Sequence, residues 1–294
     1  MNATFGAEIK TKYIDSLSKD ADKDFANFCF KNFEFAEKVY NTHLYDMSDD
    51  ELITCVRMSF IAPSNSPSAR RIKTHILNYW KWARKEGLTT RDEPLKHHYA
   101  VHLCSDVAVA NRYPKSIDDL YRLLHAEYDE SQLDTFLLLM LGFLLVYDGA
   151  DATKLHELKY SDVDFEACTI KVGDREMNLS PVTIQCIKGI HNRHSFVTRR
   201  GARPIIEAVI NRDFVLPRLE RMAPMEGKKF QISVTQYKTR RSNSLLSADW
   251  CTVDSVSLAG HFYRIYTGAD ENDLDTQTQY IYEKWASVHY STEH

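Results

Sequence analysis

A chain of 294 residues with 44% hydrophobic and 12% aromatic content holds enough apolar mass for one large or two ordinary packed domains. A formal net charge of −4 excludes a uniformly basic nucleic-acid coat. With no run of the ~20 apolar residues that a bilayer span needs, and no apolar run after a basic start, a cytoplasmic protein without membrane contact is expected.

The charge is unevenly placed. Residues 66–85, 184–203 and 228–241 hold six, five and five of the 37 basic residues and no acid, which leaves 21 basic residues against 41 acids elsewhere. A chain so divided can offer basic patches to a polyanion while its acidic parts oppose indiscriminate binding. The six cysteines (Cys29, Cys55, Cys104, Cys168, Cys186 and Cys251) are scattered, with no Cys-x-x-Cys pair and no histidine cluster at zinc spacing. Reduced thiols, no metal site and no cofactor are expected.

In chain order, residues 1–45 place Phe25, Phe28, Phe33, Ala36 and Tyr40 at helical spacing and predict one or two helices. Ser48, with Glu51 three residues on, has the form of a capping box ahead of Leu52, Val56 and Phe60, and this helix should end in the Pro63 to Pro67 loop. Over 68–86 one face carries Ile72, Ile76, Tyr79, Trp80 and Ala83 and the other Arg70, Lys73, Lys81 and Arg84, so this helix can pack and meet phosphate at once. Residues 88–115, interrupted by Pro94 and Pro114, read as the linker. Another helix should open at Ile117.

Residues 136–147 are apolar on every side of a helical wheel, which predicts a helix buried by neighbours all round. Asp148-Gly149 should stop it, since glycine reaches the left-handed conformation that closes helices. A turn with Leu155 and Leu158 inward follows, then two strands about a tight Gly173-Asp174 connection, the second at Met177 to Pro181, and a helix from Thr183. Lys171 and Arg175 flank the turn.

The stretch Gly149-Ala150-Asp151-Ala152-Thr153-Lys154-Leu155-His156-Glu157-Leu158-Lys159-Tyr160-Ser161-Asp162 resembles the opening of the catalytic domain of tyrosine recombinases (phage integrases), whose pattern is Gly-x-Arg-x-Ser-Glu-Leu-x-x-Leu-x-x-x-Asp. The helix over 68–86, after its Ser-rich loop, is similar to one in the core-binding domain with which the family clamps DNA. His261-Phe262-Tyr263-Arg264 matches the family's His-x-x-Arg phosphate motif, two positions that share a helix face. The resemblance implies a mainly α fold with a small β-hairpin sheet: a helical (SAM-like) core-binding domain over 1–105 and a recombinase-like domain over 114–294.

The chemistry departs from that pattern. Asp151 stands where the family has its first catalytic arginine, Lys154 where it has glutamate, and Ile265 where a histidine follows the motif; the short hairpin leaves no loop for the catalytic lysine. Trp285 fits the family's late His/Trp position, but the nucleophilic tyrosine expected about nine residues later falls at His294. Tyr280, Tyr282 and Tyr290 are left as off-spacing candidates. Two like charges ~4 Å apart at an effective dielectric of 20 repel by roughly 4 kcal/mol, so Asp151 opposes the charge that phosphoryl transfer develops.

Ala259 to Tyr266, Tyr282 to Trp285 and His289-Tyr290 are similar to a subgroup that lost recombinase chemistry, the MrpR-type lytic-cycle repressors of SPβ-like phages. What this implies is a prophage regulator of lysogeny that binds duplex operator DNA, with Asp151, His261, Arg264, Trp285 and Tyr290 as a degenerate site, a homo-oligomer on DNA and an antirepressor as further expectations. The expected DNA contacts are Arg70, Arg71, Lys73, Lys81, Arg84, Arg175, Arg199, Arg200, Arg203, Lys238, Arg240, Arg241, His261 and Arg264. An active divergent integrase, with Lys154 or Arg175 replacing the arginine and Tyr290 attacking, and a helical interaction protein that binds no DNA are the alternatives.

Overall fold

The computed structural model describes residues 6–58, 66–131, 134–200, 203–220 and 252–291. The chain forms two units, Met1–Val109 with Asp275–Lys284, and Ala110–Leu274 with Trp285–His294. The described residues are mostly helical with two small three-stranded antiparallel sheets. Among the described residues no helix is long and apolar enough to cross a membrane.

In the first unit, α1 (Ala7–Ser16), α2 (Asp20–Tyr40), α3 (Asp49–Met58) and α4 (Ser66–Lys85) surround an aromatic centre. There the Tyr79 ring lies 4.9 Å from Tyr13, 4.8 Å from Phe30 and 5.3 Å from Tyr45, edge-on or tilted as ring quadrupoles favour. The capping box forms as expected: Glu51 N–H donates to Ser48 Oγ at 3.2 Å and Ser48 N–H donates to the Glu51 carboxylate at 2.7 Å.

The face of α2 differs from the expected one. Its buried residues are Ala26, Cys29, Phe30, Phe33 and Glu37, whereas Phe28 is exposed. Glu37 can lie on that apolar face because the buried Lys10 ammonium of α1 pairs with it and the Leu44 N–H donates to it. The stretch expected as linker is packed as well. Leu95, Ala100 and Leu103 are buried, Ala100–Leu103 forms a 3-10 turn, and Asp49 accepts from Leu95 N–H at 3.0 Å. Mixed polarity concealed three residues that fill the core beneath α3 and α4.

After α5 (Asp106–Arg112), the second unit packs α6 (Ile117–Ser131) against α7 (Thr135–Asp148), and every residue from Phe136 to Tyr147 is buried. Gly149, at φ 115, ends α7, as its left-handed conformation requires. The sheet β1 (Val163–Asp164), β2 (Thr169–Val172) and β3 (Arg175–Asn178) has its hairpin closed by the two residues Gly173 and Asp174 in the register Val172↔Arg175. Ser180 then caps α8 (Pro181–His191), its Oγ accepting from Thr183 N–H at 3.2 Å.

The second sheet, β4 (Ser195–Arg200), β5 (Arg203–Asn211) and β6 (Arg218–Leu219), was not anticipated. In β5 the alternation is inverted: Glu207 is buried and accepts from Thr198 Oγ1 at 2.7 Å, while Ile206 is 72% exposed, although Phe196 of β4 and Leu219 of β6 are fully buried. The helices α9 (Val253–Tyr266) and α10 (Thr276–Tyr290) end the chain. Gly260 is buried where α9 crosses α7, and any Cβ there would collide with the Tyr147 carbonyl.

Candidate functional site

The end of α7, the turn after it, β3 and α9 enclose a cleft of about 800 Å³. Gly149 and Gly260 make it possible, one by ending α7 at its rim and the other by letting α9 approach α7 closely.

Arg264 is the centre of its bonding. Its Nη1 donates to Tyr147 O at 2.9 Å, supplying a cation to one of the last carbonyls of α7, and its guanidinium lies against Gly149. Its Nε donates to Asp270 Oδ2 at 2.8 Å. His261, one turn back on α9, has Nδ1 3.1 Å from the same Asp270 oxygen and Nε2 3.3 Å from Asp273 Oδ1. Partial burial of Asp270 is the largest influence and acts to raise its pKa, yet the hydrogen bonds and charges of Arg264 and His261 together hold the carboxyl below its ordinary value. The two residues of the His-x-x-Arg motif thus meet on one face, as expected, and both are engaged by carboxylates of the following loop.

The rest of the lining is mixed in sign. Among the lining residues Lys154, Arg175 and Arg264 are balanced by Asp148, Asp151, Glu176 and Asp270. Asp151 is exposed at the rim, where its Oδ1 accepts from Thr153 N–H at 2.8 Å and Thr153 Oγ1 at 2.7 Å. These two bonds and nearby Lys154 keep its carboxyl below the ordinary range, so the aspartate is charged and caps the turn it stands in. Asp148 is deeper. Burial lifts its pKa to about 6 although Thr183 Oγ1 donates to it at 2.6 Å and Ser180 N–H at 3.0 Å.

Trp285 and Tyr290 do not line this cleft. Trp285 is fully buried, its Nε1 donating to Pro114 O at 3.3 Å and its ring 5.7 Å from Phe262. Tyr290 stacks on Tyr266 at 4.0 Å and donates its hydroxyl to Lys115 O at 3.0 Å. Trp285 belongs to the core that α10 forms with α9, and Tyr290 lies half-buried at its edge.

The candidate DNA contacts separate by environment. On α4, Arg70 and Lys81 are exposed; Arg71 is exposed with its guanidinium 3.9 Å from the Phe25 ring centre. Lys73 and Arg84 are directed to the protein itself: Lys73 Nζ donates to His98 O at 2.6 Å and Arg84 Nη1 to Arg91 O at 2.8 Å. Arg175 is exposed at the cleft. Lys238, Arg240 and Arg241 lie outside the described residues, as do the side chains of Arg199, Arg200 and Arg203 at the β4–β5 turn.

Sequence reasoning missed Asp270 and Asp273. They belong to an acidic run over 270–275, and no local pattern in it marks which carboxylates turn back to α9. Asp148 carries a signal, an acid at the end of an apolar helix, that a helix stop alone also explains.

No family model matches the chain, and no curated protein does. Among solved structures the chain is similar to a XerA recombinase at 10% identity, covering 96% of this chain and 93% of that one with a TM-score of 0.39. It is similar also to the integrase of the transposon Tn1549 in complex with circular intermediate DNA, at 15% identity, 96% and 94% coverage and a TM-score of 0.33.

Proposed function

We propose that this chain binds duplex DNA without cutting it, as a repressor built on a tyrosine recombinase scaffold and of the type that holds the lytic cycle of SPβ-like prophages in check. The observation that carries the reading is the bonding of Arg264 and His261 to Asp270 and Asp273. A site meant to gather charge on a transferring phosphoryl group needs cations aimed at that group, and these two are met by carboxylates instead. Asp151 adds a further negative charge at the rim. Tyr290 commits its hydroxyl proton to Lys115 O. Affinity for DNA then rests on exposed cations such as Arg70, Arg71 and Lys81.

One observation favours the runner-up, a divergent integrase: His261 and Arg264 keep a common face beside the cleft that Lys154 and Arg175 also line. Selecting bound genomic fragments, then offering the selected duplex intact and as a nicked suicide substrate, separates the readings. A repressor shifts the intact duplex and forms no covalent complex, with Asp151→Arg no different in that respect. A covalent complex lost in Tyr290→Phe installs the integrase, and failure to shift any duplex leaves the protein-interaction reading.

A further inference from the structure

The first unit contains a second concavity, of about 510 Å³, between α4, residues 96–100 and the start of α10. Arg70, Lys73 and Lys96 line it together with His97, Tyr99 and Tyr280, and no lining residue is a carboxylate. Arg70 and Lys96 are exposed, and among the described residues neither is held by an acid. Lys73 stands differently: its bond to His98 O fixes the 96–99 segment against α4 and keeps an ammonium at the pocket. Two acids stand behind the pocket wall: Glu93 and Asp49 both act on Lys73, and Asp49 also faces Arg91 at 3.1 Å and the lining His98 at 3.6 Å.

The aromatic side of the pocket is ordered. The Tyr99 and Tyr280 rings are 4.9 Å apart, and His102 meets Tyr280 edge-on at 4.9 Å, which holds the Tyr280 ring in place while Tyr99 stays 37% exposed. Burial lowers the pKa of His102, and His98, Lys284, Arg57 and Lys73 lower it further, a sign that positive charge is concentrated on this side of the unit. Three cations and no lining carboxylate, set beside an exposed aromatic ring, suit a ligand that carries both phosphate and a flat ring.

We propose that this pocket is a nucleotide site, with Arg70 and Lys96 taking the phosphate groups, Lys73 supplying charge from behind and Tyr99 stacking the base. The ligand chemistry is a nucleotide, either free or as one residue of a DNA strand. The site is independent of the cleft at Arg264 and stands whether or not the chain acts as a repressor.

The test is isothermal titration calorimetry on the full chain at low salt, with ATP as probe and inorganic triphosphate as its counterpart without a ring. ATP should bind at least fivefold more tightly than triphosphate. Arg70→Glu/Lys96→Glu should lower ATP affinity at least tenfold, while Lys12→Glu/Lys31→Glu, which makes the same charge change at exposed positions away from the pocket, should leave it within twofold. A short single-stranded oligonucleotide added as competitor assigns the source: displacement of ATP means that the pocket takes a nucleotide of a DNA strand, and simultaneous binding means that it takes a free one. The proposal is overturned if ATP does not bind, if triphosphate binds as well as ATP, or if the two double variants lose affinity equally.

Discussion

Arg264 and Asp270 share a hydrogen bond of 2.8 Å, and through it a cation at the cleft is joined to a carboxylate six residues along the chain. The pairing is local to α9 and the loop after it, and the other end of the same guanidinium caps α7 through Tyr147 O. Arg264 therefore has a structural task in this fold that is independent of any ligand.

If that carboxylate opposes DNA, removing its charge should help. Asp270→Asn keeps an oxygen for Arg264 and is expected to tighten duplex binding several-fold and to steepen the salt dependence by about one unit, as one more phosphate contact does. Fluorescence anisotropy across a salt series reads both quantities. Unchanged affinity and slope would show that DNA does not reach this part of the cleft.

Lys81 and Arg84 lie one turn apart on α4 and should behave differently. Lys81→Ala is expected to weaken all duplexes alike with no change in melting temperature. Arg84→Ala should cost about 1 kcal/mol of stability, since it removes the bond to Arg91 O and the contact with Trp80 at 5.4 Å. Paired anisotropy and thermal melts check the split, and a stability loss at Lys81 alone would reverse it.

Two helical glycines make a matched test of the α7–α9 crossing. Gly260→Ala puts a methyl into the Tyr147 carbonyl and should destabilise by several kcal/mol through forced separation of the helices. Gly189→Ala, in α8 with nothing within 4 Å of the added carbon, should stabilise by about 0.5–1 kcal/mol. Denaturant melts of the two variants should move in opposite directions; a mild Gly260→Ala would mean that the helices can part without penalty.

Asp148 makes stability depend on pH. Its folded pKa of about 6 lies above the ordinary 3.8, so the folded chain holds this proton more tightly than the unfolded chain does. The penalty for ionising it in place is absent below about pH 4, grows as pH rises, and is complete above about pH 6, where a shift of this size corresponds to roughly 3 kcal/mol. Asp148→Asn should match the wild type near pH 4 and gain on it up to neutral pH, less any hydrogen-bond energy lost at Ser180 and Thr183. A difference in unfolding free energy that is flat between pH 4 and 7 would count against the raised pKa.

What the sequence determined by itself is what short-range physics controls. An all-apolar run makes a helix that must be buried, Gly149 stops it, Ser48 and Glu51 close a cap, Gly173-Asp174 allows only a tight hairpin, and a spacing of three puts His261 and Arg264 on one face. Each rests on backbone geometry within a few residues. The tertiary structure alone decided which partners those groups meet. Periodicity assigns a residue to a face but cannot say what packs there, so Glu37 was found inside against Lys10, Lys73 and Arg84 bonded to loop carbonyls, and Trp285 in the core at Pro114. The second sheet was hidden for the same reason, because in β5 a buried Thr198–Glu207 pair places Glu207 inside and Ile206 outside. The acidic loop at Asp270 is the sharpest case: a run of carboxylates reads as solvated surface until the fold brings one of them within bonding distance of Arg264.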